Sequence, residues 1–205
     1  MIWVSCSVSL CQGMAMQAYR LGPVIKGFWA RCCLCLMVVV CPSVFAQDGP
    51  QDESLLKVAF IYNFAKFTRW PASAWNGHVP LSLCTAGEDE LVSSLQYLGH
   101  EMIKGRPVTI KAFGDGDGNP ACHVLYIAAS EHDDFARLIE QTRDLPVLTI
   151  SEIRGFADAG GMIQLYRARN RVRFKINPGV ADARGLRLSA RLLDLAERVD
   201  GGVAP

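Results

Sequence analysis

Four histidines, eight cysteines and one run of alternating aspartates are the groups in this 205-residue chain whose types could support catalysis or metal binding. The run Asp115, Gly116, Asp117, Gly118, Asn119 opens like a calcium loop, in which alternate oxygen ligands curl round the ion and a later bidentate carboxylate completes the shell. Pro120 stands where that loop turns on glycine and Tyr126 where it needs glutamate, so the segment reads as a polar loop. Gly116, Gly118 and Ala121 imitate a dinucleotide fingerprint, but a strand follows them, whereas a pyrophosphate needs a helix N-terminus. His78, His100, His123 and His132 show no ligand spacing. Ser130, His132 and Asp133 are the residue types of a catalytic triad, yet side chains this close on a helix start cannot form a relay of nucleophile, base and orienter. Ser130 followed three residues later by Asp133 reads instead as a helix cap. The sequence also lacks Gly-x-Ser-x-Gly, a P-loop and His-Glu-x-x-His. No catalytic residue, metal site or cofactor is expected, and the chain does not read as an enzyme.

The cysteines divide by position. Six of the eight lie in the first 46 residues, which carry Arg20, Lys26 and Arg31, no acidic side chain, and an apolar run from Cys32 to Val40. A basic segment, a short apolar run and the small-residue ending Val44, Phe45, Ala46 have the layout of a secretory signal peptide, giving residues 1–46 as a removed leader and Gln47 as the mature N-terminus. The two remaining cysteines, Cys84 and Cys122, read as one structural bridge in an oxidising compartment. Without its three leader cations, a chain of 21 Lys and Arg against 20 Asp and Glu has a mature charge of about −2, which implies neither nucleic acid nor an anionic membrane as a partner.

The elements that position these groups read as a single layered α/β domain over residues 55–200, preceded by a short tether at 47–54. A first helix from Leu55 to Thr68 is apolar round nearly its whole circumference and stops at Trp70 and Pro71. Such a helix is buried on most sides, or part of its aromatic surface meets a second protomer or partner. Val79–Cys84, Pro107–Phe113, His123–Ala128 and Val147–Ile150 read as strands, with helices over Glu88–Leu98 and Glu131–Thr142 between them. Strands that mostly lack alternation, separated by helices, argue for a mainly parallel sheet covered on both faces. Met162–Arg167 and Val172–Ile176 read as a C-terminal antiparallel hairpin, with Val172, Phe174 and Ile176 on one face and Arg171, Arg173 and Lys175 on the other. A last amphipathic helix is expected, packed by Leu188, Leu192, Leu195 and Val199.

Three stretches together resemble the YfiR family of periplasmic regulators: Lys57 to Pro71 (KVAFIYNFAKFTRWP), Gly155 to Met162 (GFADAGGM), and Arg173 to Asn177 (RFKIN) followed by Gly185 to Leu193 (GLRLSARLL). The resemblance spans essentially the mature chain. It implies a small α/β domain in the periplasm that acts by binding, holding an inner-membrane diguanylate cyclase inactive through that enzyme's periplasmic domain. It also implies that an outer-membrane lipoprotein can sequester the repressor, and a homodimer is a further expectation. Cys84 and Cys122 match the family's long-range disulfide, whereas its second, shorter bridge would fall near Ala157 and Gln164, where this chain has no cysteine. Lys175 stands where the family has an acidic residue. Partner contacts are expected around Ile163, Lys175 and Arg187. The other function class left open is a periplasmic small-ligand sensor or carrier, although a solute carrier closes two lobes round its ligand and this length makes one.

Overall fold

The computed structural model describes residues 50–75, 79–114 and 122–199. The expected leader at 1–46, His78, and the segment holding Asp115, Gly116, Asp117, Gly118, Asn119 and Ala121 lie outside the described residues.

Helix α1 spans Pro50–Phe67, so it starts inside the stretch expected to be a tether. Proline suits a first turn, where its missing N–H costs nothing. Glu53 pairs with Lys57 one turn on, at 2.9 Å. The helix buries Val58, Ile61, Phe64 and Ala65 at helical spacing. Its circumference is less covered than expected: Leu55 and Leu56 are each 48% exposed, and Phe60, Tyr62 and Phe67 are half-buried. Thr68 leaves the helix for strand β1 (Thr68–Arg69), its hydroxyl donating to the Phe64 carbonyl at 2.7 Å.

Five strands form the parallel centre of an eight-stranded sheet: β2 (Leu81–Ala86), β4 (Arg106–Ala112), β5 (Val124–Ile127), β6 (Leu148–Ser151) and β7 (Ile163–Ala168), in the order β4-β2-β5-β6-β7. Antiparallel β3 (Met102–Ile103) closes one edge. At the other, β8 (Arg171–Ile176) pairs antiparallel with β7, and β10 (Glu197–Arg198) lies parallel to β8. The sheet is mainly parallel with a C-terminal hairpin, as its unalternating strands require. Leu81 and Leu83 of β2, with Val124 and Tyr126 of β5, join a core beneath α1 and α2 (Glu90–Leu95). Cys84 and Ala86, with Leu125 and Ile127, join a second core with Leu138 and Ile139 of α3 (Phe135–Gln141). With apolar layers on both faces, both sets of side chains are mostly apolar, and buried polar ones such as Tyr126 and Ser151 are hydrogen-bonded.

Several local expectations change. The hairpin loop is two residues long, Arg169 and Asn170, both at positive φ (49° and 61°), which matches the right-handed twist of a tight hairpin. Ser130 caps no helix: it sits in a 3-10 turn and its Oγ accepts from the Glu88 N–H at 3.0 Å, while α3 starts at Phe135. The last amphipathic helix is shorter than expected, since of the stretch from Leu188 to Val199 only Ala190–Leu195 is helical. Helix α4 (Pro178–Ala183) ends before Gly185 at φ 73°, the chain extends as β9 (Arg187–Leu188), and Ser189 caps α5 (Ala190–Leu195) through the Leu192 N–H. Of the leucines expected to pack it, Leu192 is buried, Leu188 is half-buried on β9, and Leu195 is 71% exposed. β9 leaves the helical path because it pairs antiparallel with β1, in a separate two-stranded sheet.

Candidate partner-binding surface

In the strand order β4-β2-β5-β6-β7 the order of strand addition reverses between parallel β2 and β5, and doubly wound sheets hold small ligands at the carboxyl ends of such a pair. Here the segments at the ends of β2 and β5 are bonded to each other across that crevice. Asp89 Oδ1 accepts from the Val92 N–H at 2.8 Å and caps α2. Its Oδ2 accepts from the Tyr126 hydroxyl at 2.9 Å and the Ala129 N–H at 3.2 Å. Ser130 closes over Glu88, and Gly87, at φ 76°, lies so close to Ser130 and Glu131 that no side chain fits. Burial, reinforced by the charges of Asp89 and Glu152, pushes the Tyr126 phenol far above its ordinary range. Glu152 in turn pairs with Lys57 at 2.8 Å. Burial lowers the Lys57 pKa, but its bonds to Glu152 and Glu53 outweigh burial and leave the ammonium above its usual value. These bonds tie the ends of β2 and β5 together, with Asp89 accepting three of them and Ser130 one. Asp89 was readable only as an acidic residue in a helix's first turn, and nothing local announces its bonds to Tyr126 and Ala129.

The three residues expected at a partner contact are not brought together. Ile163 is fully buried, in register with Ile150 on β6 and Ile176 on β8, and offers no surface to a partner. Lys175 is half-buried on the hairpin face away from α1, 3.6 Å from Glu197 and 4.0 Å from Asp158. Tyr166 donates to Glu197 at 2.7 Å, and that bond, with the positive charge of Lys175, holds the Glu197 carboxyl below its usual range. Arg187 is exposed on β9, in the other sheet, directly opposite Arg69. Cys84 and Cys122 are bonded, with Cα atoms 5.8 Å apart, inside the core on the α3 side. β2 runs on to Ala86, so Cys84 lies within its strand and Cys122 enters just before β5, which brings parallel neighbours within disulfide reach.

What the surface does offer is apolar and basic. Leu55, Leu56 and Ala59 are exposed along α1, flanked by half-buried Phe60 and Tyr62, and Met102 lies beside Tyr62, whose hydroxyl donates to the Met102 carbonyl at 3.3 Å. Phe60 and Phe64 pack on Phe174, with ring centroids 5.7 and 4.9 Å apart, so this helix is anchored to the hairpin. An aromatic stack, not anticipated from sequence, lies at the amino end of β5. Trp75 stacks on His123, Trp70 meets both edge-on, and the Arg106 guanidinium lies 4.2 Å over the Trp75 ring.

Among the described residues no group of three His, Cys, Asp or Glu could hold a metal ion, and no helix is long and apolar enough to cross a membrane. No curated protein matches the chain. A family model described as YfiR/HmsC-like matches residues 54–197, from Ser54 in α1 to Glu197 at the start of β10. Members of that family are periplasmic regulators associated with membrane diguanylate cyclase systems, and are not enzymes. A match over well more than half of the chain, on a fold of the expected class, makes this protein a member of the YfiR/HmsC-like family.

Proposed function

We propose that this protein is exported to the periplasm and represses an inner-membrane diguanylate cyclase by binding the periplasmic domain of that enzyme. The family match over residues 54–197 carries this reading. A protein that acts by contact needs surface rather than a reaction centre, and the exposed apolar residues near the start of α1 and the exposed basic residues of β1 and β9 are two candidates for it. Arg187 and Lys175 are the proposed contacts, and the exposed part of α1 is the proposed seat of a homodimer or of the cyclase. Sequestration by an outer-membrane lipoprotein would compete for the same surface.

Such a binder shifts its target only by the free energy with which it prefers the inactive state. A preference of about 2.7 kcal/mol changes the ratio of states a hundredfold. Deleting the gene is expected to raise cellular cyclic di-GMP, and restoring an exported copy to lower it. An unchanged nucleotide level, with no membrane enzyme recovered by crosslinking, would overturn the reading in favour of a ligand sensor.

A further inference from the structure

The two-stranded sheet of β1 and β9 sets Arg69 directly opposite Arg187. Residues facing each other in an antiparallel pair have Cβ atoms about 5 Å apart on the same face, and like charges so placed are destabilising. A third cation stands beside them. Lys104, in the β3–β4 turn, donates to the Thr68 carbonyl, one residue from Arg69, and its ammonium lies 5.6 Å over the Trp70 ring. Burial, and then the charge of Arg69, hold the Lys104 pKa below its ordinary value. Among the described residues neither Arg69, Lys104 nor Arg187 has an acidic group within ion-pair distance, whereas Lys57, Arg143, Arg167, Lys175 and Arg198 all do.

Three cations gathered by two short strands and a turn, with no internal counter-charge, are costly for the isolated protein. Arg171 and Arg173 differ in kind: they face Ala168 and Tyr166 across the hairpin, so no charge opposes them. From this juxtaposition we propose that Arg69, Lys104 and Arg187 form a docking platform for an acidic segment of a partner protein, whose carboxylates supply the missing negative charge. The platform is exposed on all three side chains, which suits a protein surface bearing several carboxylates. A forked guanidinium accepts a carboxylate with two parallel hydrogen bonds, and two opposed forks favour a pair of carboxylates. The inference deepens the repressor reading by giving the chemistry of the surface that Arg187 would meet, and it rests on that reading only for the identity of the partner.

Fluorescein-labelled hexaglutamate, titrated with the purified protein at low salt and followed by anisotropy, tests it. The wild type is expected to bind, with affinity falling steeply as salt is added. The Arg69→Gln/Arg187→Gln double variant is expected to bind at least tenfold more weakly, while Arg154→Gln/Arg171→Gln, with the same change in net charge, stays within twofold. Thermal melting guards against a folding defect, since removing a like-charge pair should leave the Tm of the double variant unchanged or higher at low salt. A wild type that does not bind, an equal loss in both double variants, or a lowered Tm in the first overturns the platform. So does binding to phosphatidylglycerol vesicles that hexaglutamate fails to displace, which would assign the cations to a lipid surface. Because this readout involves no cyclase, a bound peptide with unchanged cellular cyclic di-GMP would count against the repressor reading alone.

Discussion

Trp75 stacks on His123 with ring centroids 4.2 Å apart and an interplanar angle of 23°, and this contact holds an imidazole that has no room for a second proton. His123 Nδ1 accepts from the Ser82 N–H at 3.1 Å, so its Nε2–H donates to the Ala74 carbonyl, also at 3.1 Å. Protonation would set N–H against N–H at Ser82. Burial lowers the His123 pKa, the Ala74 bond opposes this, and the charge of Arg106 lowers it further. The unfolded chain therefore takes up the proton first. Stability should be constant above about pH 7, begin to fall near the unfolded value of about 6.5, and go on falling until the lower native pKa is passed. A Tm series from pH 7.5 to 5 should show this decline, and His123→Gln should be less stable at pH 7.5 but flat between pH 7 and 5.5. A wild-type Tm that does not change across that range would contradict the arrangement.

Cys84 and Cys122 close a loop with a sequence separation of 38, which the chain-entropy estimate values at about 4 kcal/mol. Both sulfurs lie in the core on the α3 side, so reduction leaves two buried thiols that pack adequately. Cys84→Ala is expected to cost about 2–4 kcal/mol in denaturant unfolding under oxidising conditions, and much less when wild type and variant are both reduced. Equal costs in the two conditions would assign the effect to packing instead.

Asp89 and Tyr126 should be energetically coupled. Tyr126→Phe removes one bond to Oδ2 and is expected to cost about 1 kcal/mol. Asp89→Ala removes the α2 cap and leaves a buried phenol without an acceptor, for about 2–4 kcal/mol. The double variant should be more stable than the sum of these losses implies, and strict additivity would show that the bond contributes nothing.

The two leucines of α5 should separate sharply. Leu192 is 4% exposed and packs into the core under α1, so Leu192→Ala is expected to cost about 2–4 kcal/mol. Leu195 is 71% exposed, and Leu195→Ala should stay within about 0.5 kcal/mol in a denaturant titration.

If the β1–β9 sheet meets the cyclase, Arg187→Glu should raise cyclic di-GMP toward the level of a gene deletion while leaving the protein's Tm within a few degrees, because Arg187 is exposed and its substitution relieves a like-charge pair. A nucleotide level equal to wild type would remove Arg187 from the contact.

The elements of the central sheet were legible in the sequence because burial on both faces leaves short runs that are mostly apolar and carry no charge in β2, β5 and β6, and such a run survives an error of one or two residues at its ends. Val124 to Ile127 is the clearest case, since all four side chains are buried, alternately beneath α1 and beside α3. The hairpin was legible from the alternation of Val172, Phe174 and Ile176 with arginine and lysine, and the disulfide from two cysteines with no others after residue 46. What the tertiary structure alone decided were the relationships between segments far apart in the chain. The run from Leu188 to Val199 has helical spacing, yet β9 forgoes that helix to pair with β1, because backbone hydrogen bonds to a strand far earlier in the chain, with Leu188 opposite Thr68, offset the local preference. Ser130 looked like a cap for its own helix and instead serves Glu88, 42 residues away. Ile163 looked like a contact residue and is fully buried, since its place between β6 and β8 depends on strand order, which no local pattern encodes. The opposition of Arg69 and Arg187 is of the same kind: residue type and spacing identify two cations, and only the register of two short strands makes them neighbours.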